Sequence, residues 1–244
     1  MIISTLPIRP STHLLLTLMV LQLVGTFDGH LSMPVTSVCE DLLMAQEGKM
    51  FFCSKFTGSF LDTYINNGSG FEFHQRIQLI GVSLDMKIRG QDKLYLSFDY
   101  SIRIYENINN AYQETYSLPF LSPIYNIDVS EDEEILVTGH TDGKVEVYQK
   151  SGSTFTLHQT LTDASNSILP VDLSANRQKL ATFEENTNLV RIYESSSGMF
   201  ILKQTLSIPF QAFEIFLEES IMEVHGHSPL MLFYELTSGT FTLA

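Results

Sequence analysis

The chain has 244 residues, 44% of them hydrophobic, which is enough to bury a sizeable core as one or two ordinary domains. Its 28 acidic and 14 basic residues give a formal charge of −14. Such a surface repels phosphate backbones and argues against nucleic-acid binding through a basic face. Two cysteines, Cys39 and Cys53, are too few for a disulfide framework, and there is no tryptophan.

Residues 1–34 differ from the rest. Met1–His13 carries Arg9, no lysine and no acid, and Leu14–Phe27 is apolar except for Thr17, Gln22 and Thr26. That stretch is shorter than the ~20 residues a spanning helix needs and reads as the core of a signal peptide or signal anchor. The expectation is a helical targeting segment and a secreted or membrane-anchored protein, with membrane contact only through this segment if it stays uncleaved. The alternative is a cytoplasmic protein whose first segment is buried.

From residue 35 onward a unit repeats. Tyr64, Tyr105, Tyr148, Tyr193 and Tyr234 are spaced 41–45 residues apart, and an aromatic follows each by seven residues: Phe71, Tyr112, Phe155, Phe200 and Phe241. Three residues before each tyrosine stand Leu61, Ile102, Val145, Val190 and Met231, and one before stand Thr63, Ile104, Val147, Ile192 and Phe233. Alternation around Val145–Tyr148, a Lys-Ser-Gly-Ser turn and a second run from Phe155 describe two antiparallel strands. The third and fourth units add two more strands upstream, for example Tyr125–Val129 and Ile135–Val137. Asn66-Asn67-Gly68 and Ser197-Gly198 supply the positive φ that tight hairpins need.

Four-stranded units of ~40–45 residues in tandem specify an all-β chain and a β-propeller of about five blades. The approximate blades are 40–79, 80–121, 122–165, 166–207 and 208–244. The tyrosines should occupy third strands, and Ile104, Val147 and Ile192 should be buried between blades. The fifth unit is short, so the ring is expected to be incomplete or open, with apolar faces exposed on its first and last blades.

Asp99-Tyr100-Ser101-Ile102-Arg103-Ile104-Tyr105 and Asp142-Gly143-Lys144-Val145-Glu146-Val147-Tyr148 resemble the third-strand signature of WD40 repeats, with tyrosine in place of tryptophan. The fourth unit, with Val171-Asp172-Leu173-Ser174 and Val190-Arg191-Ile192-Tyr193, is also similar to FG-GAP-like and lactonase-type propellers. These resemblances imply the propeller fold and two classes of function. One is a non-catalytic scaffold that presents loops to a protein partner. The other is a lactonase- or glycosidase-like hydrolase with its site at the channel mouth.

Asp99, Tyr100, His140, Asp142, Glu184, Glu185, His225 and His227 are the candidate interaction residues, and Asp99, His140, Asp142, Glu184 and Glu185 among them fall near one set of strand connections where an enzyme's side chains could converge. They do not recur in matched sets, so no catalytic residue, cofactor or metal is assigned. His225-Gly226-His227 lacks a third nearby ligand. Asp128, Ser130, Asp132 and Glu134 imitate a calcium loop without its glycine and terminal acid, and read as a solvated acidic turn. Gly68-Ser69-Gly70 is followed by no helix, so it is no nucleophile elbow. Asn67-Gly68-Ser69 is the only N-glycosylation sequon. Cys39 and Cys53 flank a strand–turn–strand segment, where a disulfide and free buried thiols both fit.

Overall fold

A computed structural model describes residues 41–45, 50–55, 58–81, 83–89, 93–226 and 230–244. The proposed targeting segment, Cys39 and His227 lie outside the described residues. Every regular element described is a strand. The first sheet contains Asp41–Ala45 (β1), Met50–Lys55 (β2), Gly58–Asn66 (β3) and Phe71–Gln78 (β4). The second contains Asp85–Arg89 (β5), Lys93–Phe98 (β6), Ser101–Ile108 (β7) and Ala111–Pro119 (β8). The third contains Ile124–Val129 (β9), Ile135–His140 (β10), Val145–Ser151 (β11) and Thr154–Leu161 (β12). The fourth contains Ile168–Leu173 (β13), Lys179–Glu184 (β14), Leu189–Ser196 (β15) and Met199–Ser207 (β16). The fifth contains Ala212–Leu217 (β17), Ile221–Gly226 (β18), Met231–Thr237 (β19) and Thr240–Leu243 (β20). Within each sheet the strands pair in sequence order and antiparallel, which is the blade of a β-propeller.

The five repeat tyrosines all stand on third strands, β3, β7, β11, β15 and β19. The repeat has a direction. Residues three and one before the tyrosine face the next sheet, whereas the tyrosine and its following aromatic face the previous one. Thus Tyr95, Ile102 and Ile104 meet Ile127, Leu136, Tyr148 and Phe155 of the third sheet. Val137, Val145 and Val147 meet Leu180, Tyr193 and Phe200 of the fourth. Ala181, Phe183, Val190 and Ile192 meet Met222, Val224, Tyr234 and Phe241 of the fifth. Ile104, Val147 and Ile192 are all buried, as the alternation requires of strands covered on both faces.

The third and fourth strands share a β-bulge at the tyrosine in the first four sheets. It leaves His74, Thr115, His158 and Lys203 without a ladder partner and bends the outer strand toward the next sheet. Two bulge residues use that bend. His74 Nε2 donates to the Asn110 carbonyl at 2.8 Å, and His158 Nε2 to that of Gly198 at 3.1 Å. The next residue along clamps the backbone of the following sheet. Gln75 bonds both the amide and carbonyl of Tyr112 (2.8 and 3.1 Å), and Gln159 does the same to Phe200 (both 2.8 Å). Gln204 repeats the pattern on Phe241 (2.7 and 2.8 Å). In the second sheet Tyr116 takes the glutamine's place, its hydroxyl 3.5 Å from the Phe155 amide.

Among the described residues no strand pairing joins the first sheet to the fifth, so hydrogen bonds do not close the ring. The expectation of two bare ends holds at one end only. On the tyrosine face of the first sheet, Phe51, Cys53, Tyr64 and Phe71 form a buried cluster. Phe51 stacks on Tyr64 at 4.5 Å and meets the edge of Phe71 at 4.8 Å, while Phe73 on the same face is exposed. At the other end Met231 and Phe233, both 45% exposed, occupy the positions filled by buried Val190 and Ile192 in the fourth sheet.

Candidate functional site

The innermost strands β5, β9 and β13 carry polar residues to which the sequence reading gives no structural role, Asp128 being read as part of a solvated turn. Asp85 Oδ2 accepts from the Ile127 amide at 3.0 Å and from Asn126 Nδ2 at 2.7 Å. Asn126 Oδ1 accepts from the Val171 amide and Asp128 Oδ2 from the Leu173 amide, each at 2.8 Å. Asp172 Oδ2 accepts from the Leu217 amide at 2.5 Å. Each inner strand is thus hydrogen-bonded to the next by a side chain that satisfies a backbone donor the ladder leaves over. Asp85, Asp128 and Asp172 recur at steps of 43 and 44, the only signal that would have pointed to them.

Two cations balance this row. Arg89 Nη2 lies 2.8 Å from Asp128 Oδ1, and Lys87 Nζ lies 3.7 Å from Asp85 Oδ2. Burial raises the Asp85 carboxyl above the ordinary range, Lys87 opposing it. Burial and the neighbouring Asp128 charge hold Asp172 well above that range. Burial alone would lower the Lys87 ammonium, but Asp85, Asp128 and Asp172 outweigh it and hold it up. The carboxylate oxygens here are committed to holding strands together.

The rim formed by the connections between second and third strands carries the sequence candidates. Asp99 and Tyr100 are exposed in the β6–β7 turn, and their carbonyls accept from Ile124 and Phe120 amides at 2.8 and 2.9 Å. Asp142 is exposed in the β10–β11 turn, where it accepts from the Lys144 amide at 3.2 Å and pairs with its ammonium. Gly143 between them has φ +86°, and a Cβ there would lie 2.9 Å from the Ala164 carbonyl oxygen.

His140 and Glu184, expected on presenting loops, are instead buried to about 1% exposure. His140 Nδ1 shares a hydrogen bond with the half-buried Ser122 hydroxyl at 2.8 Å. Its Nε2 shares one with Thr138 Oγ1 at 2.7 Å and lies 3.4 Å from Glu146 Oε2, and Glu146 also accepts from the Tyr148 hydroxyl. That chain of bonds ties the second-to-third-sheet connection to the repeat tyrosine. Glu184 Oε1 accepts from the amides of Ser165 and Asn166 at 2.9 and 3.0 Å and from their side chains at 3.1 and 3.0 Å. Its Oε2 lies 2.5 Å from Arg191 Nη1. Burial alone would raise the Glu184 pKa, but the Ser165 amide, Asn166 and Arg191 outweigh it and hold the carboxyl down at about 2.

Glu185 is half-buried, its amide donating to the Ser167 carbonyl at 2.9 Å. His225 packs 5.0 Å from Phe216 and 3.2 Å from Glu223 on β18. No hydrogen bond joins any two of these candidates among the described residues, and no group there of three or more His, Cys, Asp or Glu side chains is disposed to hold a metal. The segment expected to be a solvated acidic turn divides in two. Asp128 is buried and turned to the fourth sheet, while Ser130 and Asp132 bond each other at 2.7 Å in the turn. Cys53 is buried and disulfide-bonded.

The outward face of the fifth sheet is the remaining feature. Ile221, Met231 and Phe233 are exposed on it, beside Glu223, His225 and Glu235. In the fourth sheet the positions of His225 and Glu223 are Phe183 and Ala181, both fully buried.

No family model and no curated protein matches the sequence. Solved structures do match in fold. A periplasmic gluconolactonase from Pseudomonas aeruginosa superposes with a TM-score of 0.68 at 12% identity, over 83% of this chain and 68% of its own. The β-propeller domain of Cps50 (Swd1) from Myceliophteria thermophila gives 0.62 at 10% identity, over 80% and 69%. A chain of a mitotic checkpoint complex gives 0.69 at 12% identity, over 87% and 65%. Lactonase-type and WD40 propellers are thus both among the structural relatives, and at these identities they establish the fold alone. With five four-stranded antiparallel sheets in tandem, this chain is a β-propeller.

Proposed function

We propose that this chain is a non-catalytic propeller that binds another protein, and that it works outside the cytosol. The observation that carries the binding reading is the uncovered face of the fifth sheet. Phe233 and Met231 are exposed at positions that bury their counterparts in the second, third and fourth sheets. An apolar sheet face open to water is a docking surface. Glu223 and Glu235 flank it, so the complementary partner carries apolar side chains interspersed with lysine or arginine. Exposed Asp99, Tyr100 and Asp142 on the rim offer a second, smaller set of contacts.

The lactonase likeness supports an enzyme as the second reading. Against it, the inner-strand carboxylates are occupied by backbone amides, and Glu184 by four donors and an arginine. The extracytosolic reading is supported by the apolar run at residues 14–27 and by the disulfide at Cys53, since such bonds persist in oxidising compartments. The chain's formal charge of −14 supports a partner other than nucleic acid.

The test is a photo-crosslinking residue placed at Phe233 in secreting cells, with Glu131, an exposed turn residue, as the control position. A discrete protein adduct at 233 and none at 131 is expected. Equal labelling at both positions, together with hydrolysis of gluconolactone by the purified chain above the buffer rate, would replace this reading with the enzyme. N-terminal sequencing of the mature protein checks the compartment, and retention of Met1 on an intracellular chain refutes it.

A further inference from the structure

The connection between β3 and β4 contains Asn67-Gly68-Ser69, and neither the fold nor the proposed binding face uses it. The turn has a defined local geometry. Asn67 Oδ1 accepts three hydrogen bonds, from the Ser69 hydroxyl at 2.8 Å, the Ser69 amide at 2.9 Å and the Gly70 amide at 3.1 Å. The Asn67 amide donates to the Gly70 carbonyl at 3.0 Å, and the Gly68 amide to Asn66 Oδ1 at 2.8 Å. Asn67, Gly68 and Ser69 are all exposed, and a Cβ added at Gly68 would meet nothing within 4 Å. No acceptor meets Asn67 Nδ2 among the described residues.

We propose that Asn67 is an N-glycan acceptor, modified by a lipid-linked pyrophosphoryl oligosaccharide during export. This rests on the extracytosolic reading above. In the step, Asn67 Nδ2 forms a bond to the anomeric carbon of the sugar. The bond from that carbon to the pyrophosphate oxygen breaks, the lipid pyrophosphate leaves, and one Nδ2 proton passes to a base of the transferase.

The turn prepares the carboxamide for this. Three donors on Oδ1 stabilise the negative charge that accumulates there as the nitrogen loses its proton. The serine hydroxyl of the sequon supplies one of them, which is the reason a hydroxyl two residues on matters to the chemistry. All of these bonds span two or three residues, so the turn can form in a chain still being exported, before the sheets stack. In the folded protein the same turn stands open to solvent, so a bulky glycan there displaces no packed side chain.

The experiment expresses the full chain in cultured insect or mammalian cells, once as it stands and once behind a strong added secretory leader. Secreted protein is digested with peptide N-glycosidase and mapped by mass spectrometry. The expected result is a gel shift that the enzyme removes, leaving a carboxylate at position 67. Asn67→Gln and Ser69→Ala should lack the shift, and Ser69→Thr should retain it. Secreted chain that carries no glycan at Asn67 in either arm overturns the proposal and leaves the compartment reading intact. Modification only behind the added leader, with the natural chain intracellular, supports the acceptor site and overturns the compartment reading instead.

Discussion

Replacing Glu184 with glutamine should cost more stability than its place near a loop suggests. The carboxyl falls from its ordinary 4.5 to about 2 in the folded protein, because the Ser165 amide, Asn166 and Arg191 outweigh the burial that opposes them. A depressed folded-state pKa contributes stability that is present above pH 4.5 and is lost as pH falls toward 2. About 2.5 pKa units correspond to roughly 3 kcal/mol at pH 7. Glutamine keeps an oxygen for the Ser165 and Asn166 donors but turns an amide NH2 toward the buried Arg191 guanidinium, which loses its partner. With no tryptophan in the chain, urea unfolding is best followed by far-UV circular dichroism and tyrosine fluorescence. The expected loss at pH 7 is about 3 kcal/mol, and Glu185→Gln should stay within about 0.5 kcal/mol of wild type. The difference between wild-type and Glu184→Gln stabilities should shrink as pH falls from 5 to 2. Raised Asp85 and Asp172 contribute with the opposite sign, their stabilisation being lost as pH rises, but they cancel in that difference. A variant within about 1 kcal/mol of wild type at pH 7 would refute the clamp.

Val147→Ala should destabilise by about 2–3 kcal/mol through lost burial and a cavity between the third and fourth sheets, with Glu131→Ala as the silent control in the same melts. Gln159→Ala leaves both the amide and carbonyl of buried Phe200 without their partner, and a loss of about 1–3 kcal/mol is expected by urea titration. Gly139→Ala places a Cβ 2.9 Å from the Ile168 side chain and carbonyl oxygen of the next sheet, so a thermal midpoint unchanged from wild type would contradict the tight contact seen there.

What was legible in the sequence was whatever the apolar period dictated. Tyrosines, aromatics and aliphatics kept one phase because in the inner contacts each is pressed between two sheets, and packing there tolerates little change. The polar devices kept the same phase and were missed. Gln75, Gln159 and Gln204 recur eleven residues after their tyrosines, but Tyr116 breaks the series, and a period of two says nothing about a bulge that turns a side chain toward the next sheet. The inner-strand acids recur at steps of 43 and 44, yet Asp85 stands two residues earlier in its strand register than Asp128 and Asp172 do in theirs, so the steps alone do not reveal a shared role. His140 and Glu184 looked like loop residues because ionisable groups are rarely buried, and only their hydrogen-bond partners explain why these two are.

The fifth sheet shows how the same pattern can mark a surface. Its third strand keeps the apolar letters, Met231 and Phe233, that made the repeat readable. Its second strand places Glu223 and His225 where the fourth sheet has Ala181 and Phe183. A sheet packed on this face would desolvate the Glu223 carboxylate, at a cost of several kcal/mol where no donor reaches it. In the inner contacts aliphatics meet aromatics, with Tyr95, Val137 and Ala181 at the positions that correspond to Glu223. The partner proposed for this face therefore has to bring hydrogen-bond donors to Glu223 and Glu235.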